Sequence, residues 1–194
     1  MFDKQQILNK YLRFLLAAAA AELALLLLSP IAVLSSITDW CSLAVSFWVI
    51  LTLFRLRSCN RRYQNAALFL TVSAMGTAAA KFAGRPILTL AAAVCSIISS
   101  YYIYSGHSEI AADCSEQLSH QWRVLFRWNL ITSAALTILN SASDRIAAAS
   151  GAVAETRIAV NFWAGITTLA AFAILRIVYL LYLRKTCSCC TAQT

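Results

Sequence analysis

Long apolar runs separated by short polar, proline or glycine breaks dominate the chain. Six such runs occur, at about 11–29, 39–56, 63–83, 86–104, 124–143 and 158–182. A helix that crosses a membrane needs roughly 20 mostly apolar residues, because the hydrocarbon core is about 30 Å thick and each residue rises about 1.5 Å. The pattern therefore predicts about six transmembrane helices. Its breaks have local causes. Ser29-Pro30 ends the first run, since proline has no amide to continue the helical ladder. Thr38-Asp39 opens the second with side chains that accept from free N-terminal amides. Gly84-Arg85-Pro86 sets a tight turn between the third and fourth. The fifth run is the weakest of the six, because its strictly apolar stretch is short.

One polar segment, 105–123, separates the fourth and fifth runs. Within HSEIAADCSEQLSHQWR, residues 107–123, the apolar positions Ile110, Cys114, Leu118 and Trp122 recur every fourth residue and share a helical face. That spacing predicts an amphipathic cytoplasmic loop or helix, lying at the interface or leading into the fifth span. Its acidic residues Glu109, Asp113 and Glu116 offer a docking surface for a cytoplasmic protein partner. Trp122 and Trp128 would sit near the headgroups, where indoles are favoured.

Composition agrees with the pattern. The chain is 60% hydrophobic and 12% charged, whereas soluble domains carry about 25% charged residues. Too little polar surface remains to cover a soluble globule of 194 residues. No repeat of fixed period and no separate soluble domain stand out, so residues 1–194 read as a single integral membrane domain: an all-α polytopic helix bundle with the lipid bilayer as its first partner. The net charge of +8 does not indicate nucleic acid, because the basic residues flank the apolar runs and form no polar stripe. With the N-terminus inside, Lys4, Lys10, Arg13, Arg55, Arg57, Arg61, Arg62, Arg123, Arg127, Arg184 and Lys185 fall on inner flanks, against Lys81, Arg85, Arg145 and Arg157 on outer ones. That excess predicts N-in/C-in topology, which an even span count also requires. The first run continues through Leu28, well past the small residues of a cleavage site, so it reads as a retained span rather than a signal peptide. A bacterial cytoplasmic membrane is the expected location.

The chemistry concentrates where charge meets these runs. Glu22 stands alone in FLLAAAAAELALLLL, residues 14–28. A charged group at mid-membrane costs about 2.5–3.5 kcal/mol on insertion scales. Three arrangements relieve that cost: protonation with a hydrogen bond, a wet cavity, or a cationic partner. Arg176 is the best cation, although the depths of the two residues in their runs argue against a direct pair, and its long stem can reach the inner interface instead. Ala17, Ala20, Ala21 and Ala24 suggest close approach of a neighbouring helix, with Gly76 and Ala80 of the third run as a matching small surface. Polar seams run through other spans: Asn129, Ser133, Thr137 and Asn140 in the fifth, Ser73, Thr77 and Lys81 in the third, and shorter versions at Ser42 and Ser46 and at Asn161, Gly165 and Thr168. Interhelical hydrogen bonding explains the others, while the fifth is long enough either to bond neighbouring helices or to line a polar path.

Seven cysteines form no disulfide framework. Five of them, Cys59, Cys114, Cys187, Cys189 and Cys190, fall on the inner side, where the cytosol keeps thiols reduced. The Cys-rich tail, 186–194, could gather a soft metal with Cys59, Cys114, His107 or His120. Three thiols so close together hinder one tetrahedral site, however, and no second C-x-x-C completes it. Free thiols, with no metal and no cofactor, are the expectation. No nucleotide-binding glycine loop, zinc-protease or nucleophile-elbow motif occurs, so the sequence points away from an enzyme. It favours a small-solute or ion transporter, or the membrane subunit of a transport complex, built on Glu22, Arg176, Lys81 and the fifth-span seam. The alternative is a scaffold or regulatory protein that docks a cytoplasmic partner through 107–123.

Overall fold

The computed structural model describes residues 2–28, 30, 35–83, 86–149 and 154–192. These form six α-helices, with no strand among the described residues: α1 (Phe2–Leu28), α2 (Ser35–Leu56), α3 (Arg61–Ala83), α4 (Pro86–Ala112), α5 (Glu116–Ala149) and α6 (Ala154–Ala192). Each helix packs against its neighbours in sequence, and α1 closes the ring by packing against α6. A further contact joins α4 to α6 across the ring.

Three helices contain segments long and apolar enough to cross a membrane: Gln6–Leu28, Ile87–Ala112 and Phe162–Cys190. A shorter apolar helix covers Trp40–Leu56. The polar openings of α3 and α5 explain their weaker signal, since Arg61, Arg62, Gln64 and Asn65 begin one while Glu116, His120, Arg123 and Arg127 occupy the other. The outer surface is apolar, with Trp40 74% and Ile138 70% exposed alongside Phe47, Met75, Ile87 and Trp163. A water-soluble monomer rarely exposes so extensive an apolar belt. Such a surface fits membrane association.

Two inner connections are capped locally. Asn60 precedes α3, and its Oδ1 accepts from the Arg62 amide at 2.8 Å. Ser115 precedes α5, and its Oγ accepts from the Leu118 amide at 3.3 Å. Both side chains satisfy amides that the first helical turn leaves without partners. The second cap also divides the segment expected to be one amphipathic element. Residues 107–112 complete α4, 113–115 form a turn and 116–123 open α5. Ile110, Leu118 and Trp122 do turn inward together, but as parts of two packed helices within the bundle.

The principal core lies beside these turns. Leu12 and Leu15 of α1, Leu53 and Leu56 of α2, Tyr63 of α3, Trp122 and Leu125 of α5, and Tyr179 and Leu183 of α6 belong to one buried cluster. The most extensive helix pairing, α3 with α4, uses small residues. A Cβ added at Gly76 would lie 3.1 Å from the Ala92 Cβ. Ser73 Oγ donates to the Ala92 carbonyl and Ser99 Oγ to the Ala66 carbonyl, both at 2.8 Å. Gly76 therefore serves the α3–α4 contact, and the expectation that it matches the alanines around Glu22 is incorrect. Those alanines also differ from expectation: Ala17, Ala20 and Ala24 are exposed, while Ala18 and Ala19 are buried.

Candidate functional site: a charged pair in the central cavity

The inward face of α1 follows Leu15, Ala18, Ala19 and Glu22, a spacing that aligns side chains over two turns. It delivers the Glu22 carboxylate to the ring interior. There Oε2 lies 2.9 Å from Nη1 of Arg176 on α6. The pair corrects the depth argument drawn from sequence. Matching the centres of the two apolar runs in antiparallel order would set Glu22 opposite about residue 168, roughly 12 Å along the axis from Arg176 at about 1.5 Å per residue. The reach of the two side chains and any offset in helix register together close that gap. Packing at the opposite end is consistent with an offset. Leu183, Cys187 and Cys190 enter the core with Leu12, and Arg13 lies close enough to Cys187 to act on it electrostatically. Helix register follows these contacts rather than the centring of hydropathy.

The pair faces a cavity of about 300 Å³ lined by residues of all six helices. Ser96 and Ser100 of α4 and Asn129 and Ser133 of α5 contribute further polar groups, while Leu15, Val49, Leu70, Phe126 and Phe172 form apolar wall. The Glu22 and Arg176 side chains keep 27% and 44% of their surface exposed. Among the described residues, no hydrogen bond joins either head group to a third side chain. Carboxylate and guanidinium together can recognise several donors and acceptors, so the cavity presents unused hydrogen-bonding capacity.

The other sequence candidates separate from this group. Thr137 is exposed and donates to the Ser133 carbonyl of its own helix at 2.8 Å. Thr77 likewise donates to the Ser73 carbonyl at 2.9 Å. The Lys81 and Asn140 side chains lie outside the described residues. At the inner turns, Glu109 is engaged within the chain: its Oε1 lies 2.5 Å from Arg62 Nη2, and Asn60 Nδ2 donates to its Oε2 at 2.8 Å. Arg62 also donates to Ser105 Oγ. Glu109 thus ties α4 to the α2–α3 connection. Asp113 lies in the α4–α5 turn and Glu116 in the first turn of α5, both exposed.

A second polar cluster was not foreseen. His107 is fully buried, with Nδ1 2.8 Å from the Tyr63 hydroxyl and Nε2 3.0 Å from the Tyr179 hydroxyl. The Trp122 ring lies 4.7 Å from the imidazole, centroid to centroid. Its Nε1 donates to Thr186 Oγ1 at 3.1 Å, and that hydroxyl donates to the Tyr182 carbonyl at 2.9 Å. Ser108 and Ser119 join α4 to α5 through a 2.9 Å hydroxyl contact. The available signal was the spacing Tyr104, His107, Ser108 and Ala111, which marks one helical face once α4 is continued to Ala112.

None of the seven cysteines is joined in a disulfide. The Cys114 thiol makes hydrogen-bonding contacts with Cys189 and Cys190, and burial, followed by the neighbouring Cys189, raises its pKa. Among the described residues, no group of three or more His, Cys, Asp or Glu side chains is arranged to hold a metal ion.

Fold and site together define a helical bundle with candidate membrane-crossing segments and a charged pair in a central cavity. Comparison with models of protein families, curated proteins and solved structures finds no match to this chain.

Proposed function

We propose that this chain is a six-span membrane protein, with both termini on the cytoplasmic side of a bacterial membrane, that binds a small solute or ion in its central cavity and moves it across. It acts alone or as the membrane subunit of a transport complex. The supporting observation is the Glu22–Arg176 pair at 2.9 Å facing a cavity of about 300 Å³. Ionisable groups within membrane helices mark solute or ion pathways because their desolvation is costly. Pockets for small molecules begin at about this volume and combine apolar walls with a few placed polar groups. Asn129 and Ser133 provide such groups beside the pair. The excess of Lys and Arg on the inner flanks supports the assigned orientation.

The test is uptake into proteoliposomes containing the purified full chain, using labelled sodium, potassium, amino acids, small organic acids and sugars. Wild-type protein should accumulate at least one solute above protein-free vesicles. Glu22→Gln should reduce that uptake at least tenfold while eluting as wild type on size exclusion. Uptake unchanged by Glu22→Gln would remove the carboxylate from the mechanism. Failure of wild-type protein to move any of these solutes would overturn autonomous transport.

A further inference from the structure

We infer that the cavity recognises a small zwitterion, with an ammonium and a carboxylate on a short carbon frame. This inference rests on the function proposed above and names the substrate class for the same site. Charge balance is its first support. Glu22 and Arg176 neutralise one another across 2.9 Å. A ligand carrying only one charge would engage one partner and leave the other without an opposite charge, so the attraction it breaks would not be recovered. A zwitterion can separate the pair while giving each side chain a new opposite charge: its carboxylate meets Arg176 and its ammonium meets Glu22.

Geometry is the second support. A guanidinium has five N–H donors, and a carboxylate has two acceptor oxygens. The pair joins Nη1 to Oε2 and leaves both side chains partly exposed. Arg can grip a carboxylate through two parallel hydrogen bonds, while Asn129, Ser100 and Ser133 line the same cavity with groups that both donate and accept. Phe172 supplies apolar wall for the carbon frame. A cavity of about 300 Å³ has room for a frame of amino-acid size. Within the pair, each side chain supplies the other with the charge that the ligand's opposite end would bring.

The test follows thermal unfolding of the full chain in detergent by tryptophan fluorescence. The probes are glycine, L-alanine, L-valine and β-alanine, each compared with its methyl ester, which loses the carboxylate charge, and its N-acetyl derivative, which loses the ammonium. At least one zwitterion should raise the unfolding midpoint with an apparent Kd at least tenfold below those of both analogues. The double variant Glu22→Gln/Arg176→Gln removes both charges together and should abolish that shift while remaining monodisperse. Should this variant aggregate, the wild-type analogue series decides alone. Equal stabilisation by an ester or an N-acetyl derivative overturns the zwitterion assignment, as does no shift with any of the four zwitterions. If proteoliposome uptake of another solute persists in either case, only the assignment falls; if uptake is also absent, autonomous transport falls with it.

Discussion

Two polar clusters occupy neighbouring parts of the bundle, one around His107 and the other around Glu22 and Arg176. At His107, both imidazole nitrogens meet phenolic hydroxyls, the Trp122 N–H meets Thr186, and aromatic rings cover the assembly. At the ion pair, two groups with greater hydrogen-bonding capacity face a cavity and share one another as partners. Tyr179 belongs to both places: its hydroxyl meets His107, while the residue also lines the cavity. Burial or polarity alone does not separate structural clusters from binding sites. Whether the polar atoms have already found partners within the chain is the more useful distinction.

The largest expected effects lie at the saturated cluster. Trp122→Ala removes a fully buried indole and should cost about 3–5 kcal/mol, as large aromatic truncations do. His107→Leu removes the shared partner of Tyr63 and Tyr179, and each hydroxyl left unsatisfied should cost about 1–3 kcal/mol. Equilibrium unfolding in mixed micelles should show both losses, each of several kcal/mol. An unaltered midpoint for both variants would break the contrast, because the cluster would then have no structural role.

Gly106 provides a sharper steric test of the same region. A Cβ there would lie 3.0 Å from the Tyr63 ring, whereas one at Gly165 has nothing within 4 Å. Gly106→Ala should cost about 1–3 kcal/mol by displacing Tyr63 from the packing around His107. Gly165→Ala should be neutral or stabilise by up to about 1 kcal/mol, through the lower entropy cost of alanine in a helix. The same micelle unfolding measurement compares them. Similar losses would contradict the close packing assigned to the His107 side.

The different legibility of these regions has a physical explanation. FLLAAAAAELALLLL and the breaks at Pro30 and Gly84-Arg85-Pro86 carry local information, so helices on either side of them were readable. Span number and orientation rest on hydropathy and charge; among the described residues, three helices have the apolar length for crossing. Glu22, Arg176, Asn129 and Ser133 were identifiable by type, but their meeting depends on side-chain reach and on a helix register that hydropathy does not fix. Packing of Leu183, Cys187 and Cys190 in the core contributes to that register, and span centring carries no trace of it. His107 was hidden for a different reason. Its surroundings HSE and DCSEQ suggest solvent exposure, yet Tyr63 and Tyr179, distant along the chain, satisfy its nitrogens. Polar sequence signals exposure only when distant partners are absent.

At the ion pair, the effect on stability should be smaller than at His107. Glu22→Gln should change unfolding free energy by about 1 kcal/mol or less, since partly exposed pairs contribute about 0–1 kcal/mol. A loss of 3 kcal/mol or more, comparable to that of buried pairs broken on one side, would place Glu22 among the structural groups. Micelle unfolding of Glu22→Gln beside His107→Leu tests this difference directly.

The smallest contrast compares adjacent serines on α4. Ser99 is buried and donates to the Ala66 carbonyl at 2.8 Å. Ser100 is half-buried, and both serines line the cavity, so the contrast lies in the Ser99 hydroxyl being engaged with Ala66. Both can lose a single hydroxyl by replacement with alanine, so size and helix position are nearly held constant. Ser99→Ala should cost about 0.5–1.5 kcal/mol, the net value of an intramolecular hydrogen bond. Ser100→Ala should stay within about 0.5 kcal/mol, as substitutions without a lost internal partner commonly do, while weakening solute binding. Equal stability losses would mean that both hydroxyls are used by the fold. A loss confined to Ser99, with binding impaired only at Ser100, would reproduce the distinction between the two clusters at the scale of one oxygen atom.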